Sequence, residues 1–242
     1  MASIRLDIKS ELPKAIRWTD QMTKQLPFAI SQALNATAYG LNSVPGSKDS
    51  NVRNALNQAT KQYLNQPKPF TQKAFFYKPS TKRNLIAEVF PSDKPGMNRA
   101  RYLRYAIEGG QRVQKGFERA LLAKVATTGR IPPGAQLTPS SHIKTDKHGN
   151  VTRGTIGRIL KGLDDKGSRN RGYFFGEPSG SRNRAPGIYR RSRGQIFPYF
   201  FVTSRQSYSP RFPINEVADR VIQRRFGVYL RSSLERAVAT AR

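Results

Sequence analysis

The hydrophobic period of this chain changes twice, and that change restricts the fold more than any other feature. Near the N-terminal end, Leu26, Ile30, Ala33, Leu34, Thr37, Leu41 and Val44 follow the spacing of one helix face over about five turns. Near the other end, 213–241 carry a second helical stripe through Ile214, Val217, Ala218, Val221, Ile222, Tyr229, Leu234 and Val238. Pro213 suits the first turn of that helix. The runs between them are short, β-branched or aromatic, and bounded by Gly, Pro and Ser. The expectation is an α+β fold: an antiparallel sheet flanked by long N- and C-terminal helices, with an extended Arg-rich arm or loop region.

In more detail, 10–44 read as a helix with Ser10 at its N-cap and a kink or division at Pro27. Trp18 on this helix reads as core. A second helix over 50–66 presents Val52, Ala55, Leu56, Ala59 and Tyr63 on one face and stops at Pro67 and Pro69. The short connection makes the two a helical hairpin. Residues 71–78 and 84–90 read as an antiparallel strand pair. In the second of these, Leu85, Ala87 and Val89 alternate with Ile86, Glu88 and Phe90, so both faces are mostly buried. Residues 98–126 are helical around a break at Gly109-Gly110, and 127–150 read as a long loop. A short amphipathic helix covers 153–163. Three aromatic runs, Tyr173-Phe174-Phe175, Ile188-Tyr189 and 199–202, read as strands. Residues 1–164 and 212–242 are assigned to one body, and 165–211 to a basic Arg/Gly/aromatic insertion or arm.

Charge restricts the partners. The chain has 242 residues, with 43 Lys+Arg against 15 Asp+Glu, a formal net charge of +28. Such a surface repels itself unless a polyanion or an acidic protein neutralises it. The absence of cysteine excludes disulfide scaffolds, thiolate metal sites and cysteine nucleophiles, and fits a reducing compartment. No window approaches the roughly 20 apolar residues of a membrane span, and the opening residues have no apolar signal core. The expectation is a chain without membrane contact, synthesised in the cytoplasm.

Enzymatic signatures are weak. The two histidines, His142 and His148, lie in the loop-like segment. Asp146 and His148 in D-K-H-G-N have the chemistry for a metal, but Asp, Gly and Asn in that order favour a tight turn. Asp164-Asp165 is the only adjacent acidic pair, and neighbours on a helix point apart. There is no Gly-Lys-Ser/Thr phosphate loop and no Gly-x-Ser-x-Gly elbow; Gly-Glu-Pro-Ser-Gly at 176–180 has its glycines misplaced. No catalytic residue, metal or cofactor is assigned.

The segment from Val151 to Arg211 holds 11 Arg and 2 Lys against 3 acidic residues. Arg169, Arg171, Arg182, Arg184, Arg190, Arg191 and Arg193 interleave with Gly, Ser and aromatics. That composition suits phosphate contact and ring stacking. The same arginines equally suit carboxylates of neighbouring protein subunits. Contact with duplex backbone or acidic protein is expected over sequence reading, and acidic protein over DNA lining a channel.

Residues 102–122, Y-L-R-Y-A-I-E-G-G-Q-R-V-Q-K-G-F-E-R-A-L-L, resemble a stretch of tailed-bacteriophage virion proteins, the minor tail protein Z and tail-completion (neck) families. D-K-H-G-N-V-T-R-G-T-I-G-R-I-L at 146–160 and the ending E-R-A-V-A-T-A-R are similar to the same group. The motifs are loose, and the stretch 165–211 makes this chain longer than the small tail-completion proteins. Tyr105, Glu108, Gly109 and Gly110 are the positions that match the families' Tyr…Glu-Gly turn. The resemblance implies a non-enzymatic virion protein of the head–tail junction or tail, forming a homo-oligomeric ring, six- or twelve-fold. It implies portal, adaptor or tail proteins as partners and contact with genomic DNA. The alternative is a basic, non-sequence-specific nucleic-acid-binding protein.

Overall fold

The computed structural model describes residues 4–6, 20–93, 99–126, 131–164, 172–178 and 185–240. In chain order these form β1 (Ile4–Leu6), α1 (Asp20–Ala38), α2 (Val52–Tyr63), α3 (Pro69–Gln72), β2 (Phe75–Lys78), β3 (Ala87–Pro91) and α4 (Arg99–Ile107). There follow β4 (Gly110–Gln111), α5 (Gly116–Val125), β5 (Gln136–Pro139), α6 (Arg153–Asp164) and β6 (Gly172–Gly176). The last elements are β7 (Gly187–Ser192), β8 (Gln195–Thr203), β9 (Ser207–Tyr208) and α7 (Ile214–Ala239). The fold is α+β with antiparallel sheets and a long C-terminal helix, as expected. Among the described residues no helix is long and apolar enough to cross a membrane.

The chain divides into two compact units, Met1–Gly109 with Ser209–Arg242, and Gly110–Tyr208. The boundaries therefore differ from the expected 164/165 and 211/212. The second unit begins earlier because α5, β5 and α6 share a core with the aromatic strands: Leu121, Leu137, Ile159, Ile188 and Phe200 are one buried cluster. The described parts of the Arg-rich segment up to Tyr208, 172–178 and 185–208, are part of that folded unit.

The first unit packs α1, α2, α4 and α7 around a three-stranded antiparallel sheet of order β1-β3-β2. Ile30, Leu34, Leu56, Phe75, Val89, Leu103, Phe212 and Ala218 form its core. α1 meets α7 through small side chains, Ala33 and Ala36, beside the buried Tyr229. The Tyr229 hydroxyl donates to the Ser50 carbonyl at 2.7 Å, so its polar end is satisfied in the interior. Asn35 on α1 donates to the Ser80 carbonyl at 2.9 Å and accepts from the Ser80 N–H at 2.7 Å, fixing the β2–β3 connection to the helix.

α1 ends at Ala38 rather than Val44, and Gly40 supplies the reason. Its φ is +85°, and an added Cβ would lie 2.7 Å from the Ser47 carbonyl oxygen. The chain turns there on a left-handed residue that no side chain fits. α1 is not divided at Pro27, which lies inside it. Ser10, Trp18 and the rest of 7–19 lie outside the described residues. The strand pair is confirmed as β2–β3, with Phe76 opposite Phe90, although 69–72 form a short helix first. In α7 the apolar stripe turns inward at Tyr229, Ser233 and Ala237, leaving Val228 and Val238 exposed.

In the second unit a four-stranded antiparallel sheet of order β5-β8-β7-β6 carries α5 and α6 on one face. Its chain ends leave as the two-stranded ribbon β4–β9. The expected loop over 127–150 contains β5, an edge strand hidden from sequence by Pro139 and by its single large apolar residue, Leu137. A buried polar network closes the base of the unit. The Arg112 guanidinium donates to both Glu118 carboxylate oxygens, at 2.8 and 2.9 Å, and to Gln136 Oε1 at 2.7 Å. Gln136 Nε2 returns a bond to the Arg112 carbonyl at 2.7 Å. Glu118 also accepts the Lys115 N–H at 2.6 Å, half of a capping box at the start of α5.

Burial by itself pushes the Glu118 carboxyl up, but the Arg112 hydrogen bonds, the Lys115 N–H and the adjacent positive charge hold it below the ordinary carboxylate range. A carboxyl lowered in the folded state stabilises at pH above its unfolded value, and that stability is lost as pH falls through the folded value. The full chain should therefore lose stability from about pH 4 downward, and Glu118→Gln should flatten this acid limb. Glu118→Ala leaves the half-buried Arg112 without its carboxylate and should cost about 2–3 kcal/mol in urea unfolding at neutral pH.

Candidate functional site

Four of the seven singled-out arginines, Arg169, Arg171, Arg182 and Arg184, lie outside the described residues. The other three are gathered at one end of the second unit's sheet. β7 and β8 are joined by Arg193-Gly194, with φ of +51° and +75°. Two left-handed residues between the paired Ser192 and Gln195 make a tight hairpin turn whose twist matches the flanking strands. Arg193 thus sits at the tip, and Arg190 and Arg191 precede it on opposite faces.

Strand register assigns the faces. Phe175, Ile188 and Phe200 are cross-strand neighbours and pack into the core beneath α5 and α6. On the opposite face, Phe174, Tyr189 and Phe201 form a lane of rings. Phe174 stacks on Tyr189 at 5.9 Å, and Tyr189 meets Phe201 edge-on at 6.4 Å. Tyr189 is fully buried and its hydroxyl donates to the Ala185 carbonyl, whereas Phe174 and Phe201 are half-buried. The Arg191 guanidinium lies 5.1 Å from the centre of the Phe174 ring, extending the lane with a cation.

Arg190 is held on the helix side. Its guanidinium lies 5.9 Å from the Tyr173 ring centre and donates to the Tyr199 hydroxyl at 3.2 Å. Tyr199 is the residue that a register shift adds to β8, between Pro198 opposite Tyr189 and Phe200 opposite Ile188. Tyr199 meets Tyr173 edge-on, with ring centres 5.2 Å apart. The hydrogen bond from Arg190 to Tyr199 raises the Arg190 pKa, so the group stays a cation throughout the accessible range. Burial, with Tyr199 beside it, raises the Tyr173 hydroxyl above its ordinary value. Gly162 on α6 makes room for this ring; a Cβ there would lie 2.5 Å from Tyr173 Cδ2.

The other singled-out residues have structural roles. Tyr105 is half-buried on α4, and Glu108 pairs with Arg104 at 3.0 Å one helical turn earlier. Gly109 and Gly110 both have positive φ, +74° and +96°. They stop α4 and start β4, and the boundary between the two units falls between them. D-K-H-G-N is the expected tight turn: Asp146 accepts the N–H groups of His148 and Asn150 at 2.9 Å, and Gly149 has φ of +74°. Asp164 pairs with Lys124 at 2.6 Å, and Asp165 lies outside the described residues. Among the described residues there is no group of three His, Cys, Asp or Glu side chains that could hold a metal ion.

The arginines stand out in the sequence, but the side chains that orient them do not. Tyr173, Phe174 and Tyr199 orient them, and the signal was an Arg-rich strand lying between two aromatic ones. The resulting surface suits stacking and phosphate or carboxylate contact, because a guanidinium can lie over a ring by its face and donate at its edge. No family model, no curated protein and no solved structure matches the chain.

Arg190→Ala with Arg191→Ala should elute from a heparin column at clearly lower salt than the unaltered chain. The stability change should stay within about 1 kcal/mol, the scale of exposed ring–cation contacts. An unchanged elution position would remove this face from the polyanion-binding surface.

Proposed function

We propose that this chain is a non-enzymatic structural protein of a tailed-phage virion, placed at the head–tail junction or in the tail. In this reading it assembles as a homo-oligomeric ring of six or twelve copies around the portal–tail axis. Its neighbours are portal, adaptor or tail proteins, and genomic DNA passes nearby. The reading rests on the resemblance carried by 102–122 and 146–160. The observation that best supports it is α7. This helix has 26 residues, about 39 Å of length. Its inner stripe is spent on the first unit's core, and Val228 and Val238 remain 58% and 41% exposed on its outside. Ring closure needs such surfaces on both sides of a subunit, one fitting the other.

A basic, non-sequence-specific nucleic-acid-binding protein is the second reading. It draws on one specific observation, the ring-held Arg190 and Arg191 beside Arg193 on the hairpin. The two readings separate in one pair of measurements. A virion component co-purifies stoichiometrically with particles, and particles made without it lack a normal joined tail in negative stain. A nucleic-acid binder shows DNA affinity falling with salt at a slope of about −0.9 per phosphate neutralised, with Arg190→Ala reducing that slope by about one. Normal tailed particles in the absence of the protein would overturn the leading reading.

A further inference from the structure

The first unit holds a second cationic site with a different character. α2 and α7 leave an open groove of about 340 Å³ between them. Ala55 and Ala59 from α2, with Val217 and Val221 from α7, form an apolar floor. Gln58 and Gln62 edge one side, and Arg220, Arg224 and Arg225 edge the other. The spacing explains the placement. Ala55, Gln58, Ala59 and Gln62 follow the i, i+3, i+4, i+7 pattern of one face of α2. Val217, Val221 and Arg224 do the same on α7. Small side chains on the floor leave the space, and long ones wall it.

The electrostatics of the groove are one-sided. No carboxylate lines it, and α2 contains no acidic residue. Arg220 Nε is bound to the Glu216 backbone carbonyl at 3.2 Å, and Arg225 Nε to the Ser50 hydroxyl at 2.9 Å. Both bonds position a guanidinium without neutralising it. Among the described residues the ion pairs are Arg104–Glu108, Arg112–Glu118 and Lys124–Asp164, so none of the three groove arginines has a described carboxylate within 4.0 Å.

We infer that this groove docks an acidic, amphipathic segment of a partner protein, with aliphatic side chains on the Ala/Val floor and carboxylates on the three arginines. Charge complementarity selects the partner. A second copy of this chain, at +28 and with 15 scattered carboxylates, is a poor donor of such a segment. A nucleic-acid backbone supplies anions but no aliphatic group to cover Ala55, Ala59, Val217 and Val221. The amides of Gln58 and Gln62 then serve the segment's own polar edge. Helix-in-groove recognition of this kind reads apolar anchors at helical spacing. The inference stands on groove geometry and is independent of the virion reading.

The test uses the full chain and a fluorescent synthetic helix of about four turns, with leucines on one face and glutamates on the other. Anisotropy is read at near-physiological salt. Binding should weaken about tenfold or more on Arg220→Glu with Arg224→Glu. The same peptide should bind Arg190→Ala/Arg191→Ala protein as it binds the unaltered chain. A peptide of equal charge with the leucines replaced by serine should bind at least about tenfold more weakly. Circular dichroism melting of the charge-reversed variant shows whether it is folded. If it is not, Arg224→Gln with Gln62→Glu gives the same reading with less charge change. Equal binding of the leucine and serine peptides would overturn the inference, as would binding that the groove substitutions leave intact. Competition by single-stranded DNA that is relieved by the groove substitutions alone would also overturn it, since the site would then take nucleic acid.

Discussion

Forty-three cationic side chains share fifteen carboxylates in this protein, and that scarcity sets how the arginines are held. One guanidinium, Arg112, takes a buried carboxylate with two-point geometry, and it does so where α5, β4 and β5 must be fixed together. At several other described positions the structure uses rings and carbonyls instead. Arg53 donates to the Phe75 carbonyl at 3.1 Å and lies 5.4 Å from the Tyr77 ring centre. Arg99 is buried between Phe70 and Phe76, 4.1 and 5.1 Å from their centres. Arg190 and Arg191 repeat the device on the sheet of the second unit. A ring or a carbonyl orients a cation without cancelling its charge. An exposed ion pair such as Arg104–Glu108 cancels charge locally and adds little stability.

The kind of cation matters as much as the number. No lysine follows Lys166, while fifteen arginines do. Ring stacking with edge donors left over is an arginine property, because the planar, weakly hydrated guanidinium lies flat where an ammonium stays hydrated. The stretch beyond Lys166 contains the hairpin face and all three groove arginines. Positive charge there is directional where a neighbour orients the guanidinium, as at Arg190, Arg191, Arg220 and Arg225.

The helices were legible in the sequence because their burial is one-sided and long. The stripe from Leu26 and the stripe from Ile214 each repeat often enough to reveal their period. The ends were less legible. Gly40 ends α1 because its backbone is left-handed and packed against Ser47, a tertiary fact that a stripe running on to Val44 conceals. β5 was missed because an edge strand of four residues with one large apolar side chain has no period to detect. The unit boundary was misplaced for a related reason. Composition changes at the start of the Arg-rich stretch, whereas the core shared by Leu121, Ile159 and Phe200 begins well before it. In the candidate site, the arginines were legible as types, but the contact of Tyr199 with Arg190 depends on how β7 and β8 pair, which composition does not show.

The two cationic sites differ in what surrounds the charge, and that difference bears on what each can select. On the hairpin, guanidiniums sit against aromatic rings, a surface that accepts any flat or anionic group and discriminates little. In the groove, guanidiniums stand over aliphatic side chains, and an anion without an apolar counterpart leaves that floor wet. Ala59 and Val217 are already buried in the core, so a docked segment covers mainly what Ala55 and Val221 leave exposed; at about 25 cal/mol per Å² this adds an apolar discrimination that Coulomb attraction alone, screened over about 8 Å at physiological salt, does not. General positive charge therefore brings the chain to polyanions and acidic proteins alike, and the selectivity lies with the floor formed by Ala55, Ala59, Val217 and Val221. Enlarging Ala55 to leucine would fill that floor while leaving every arginine in place, separating attraction from recognition in a single substitution.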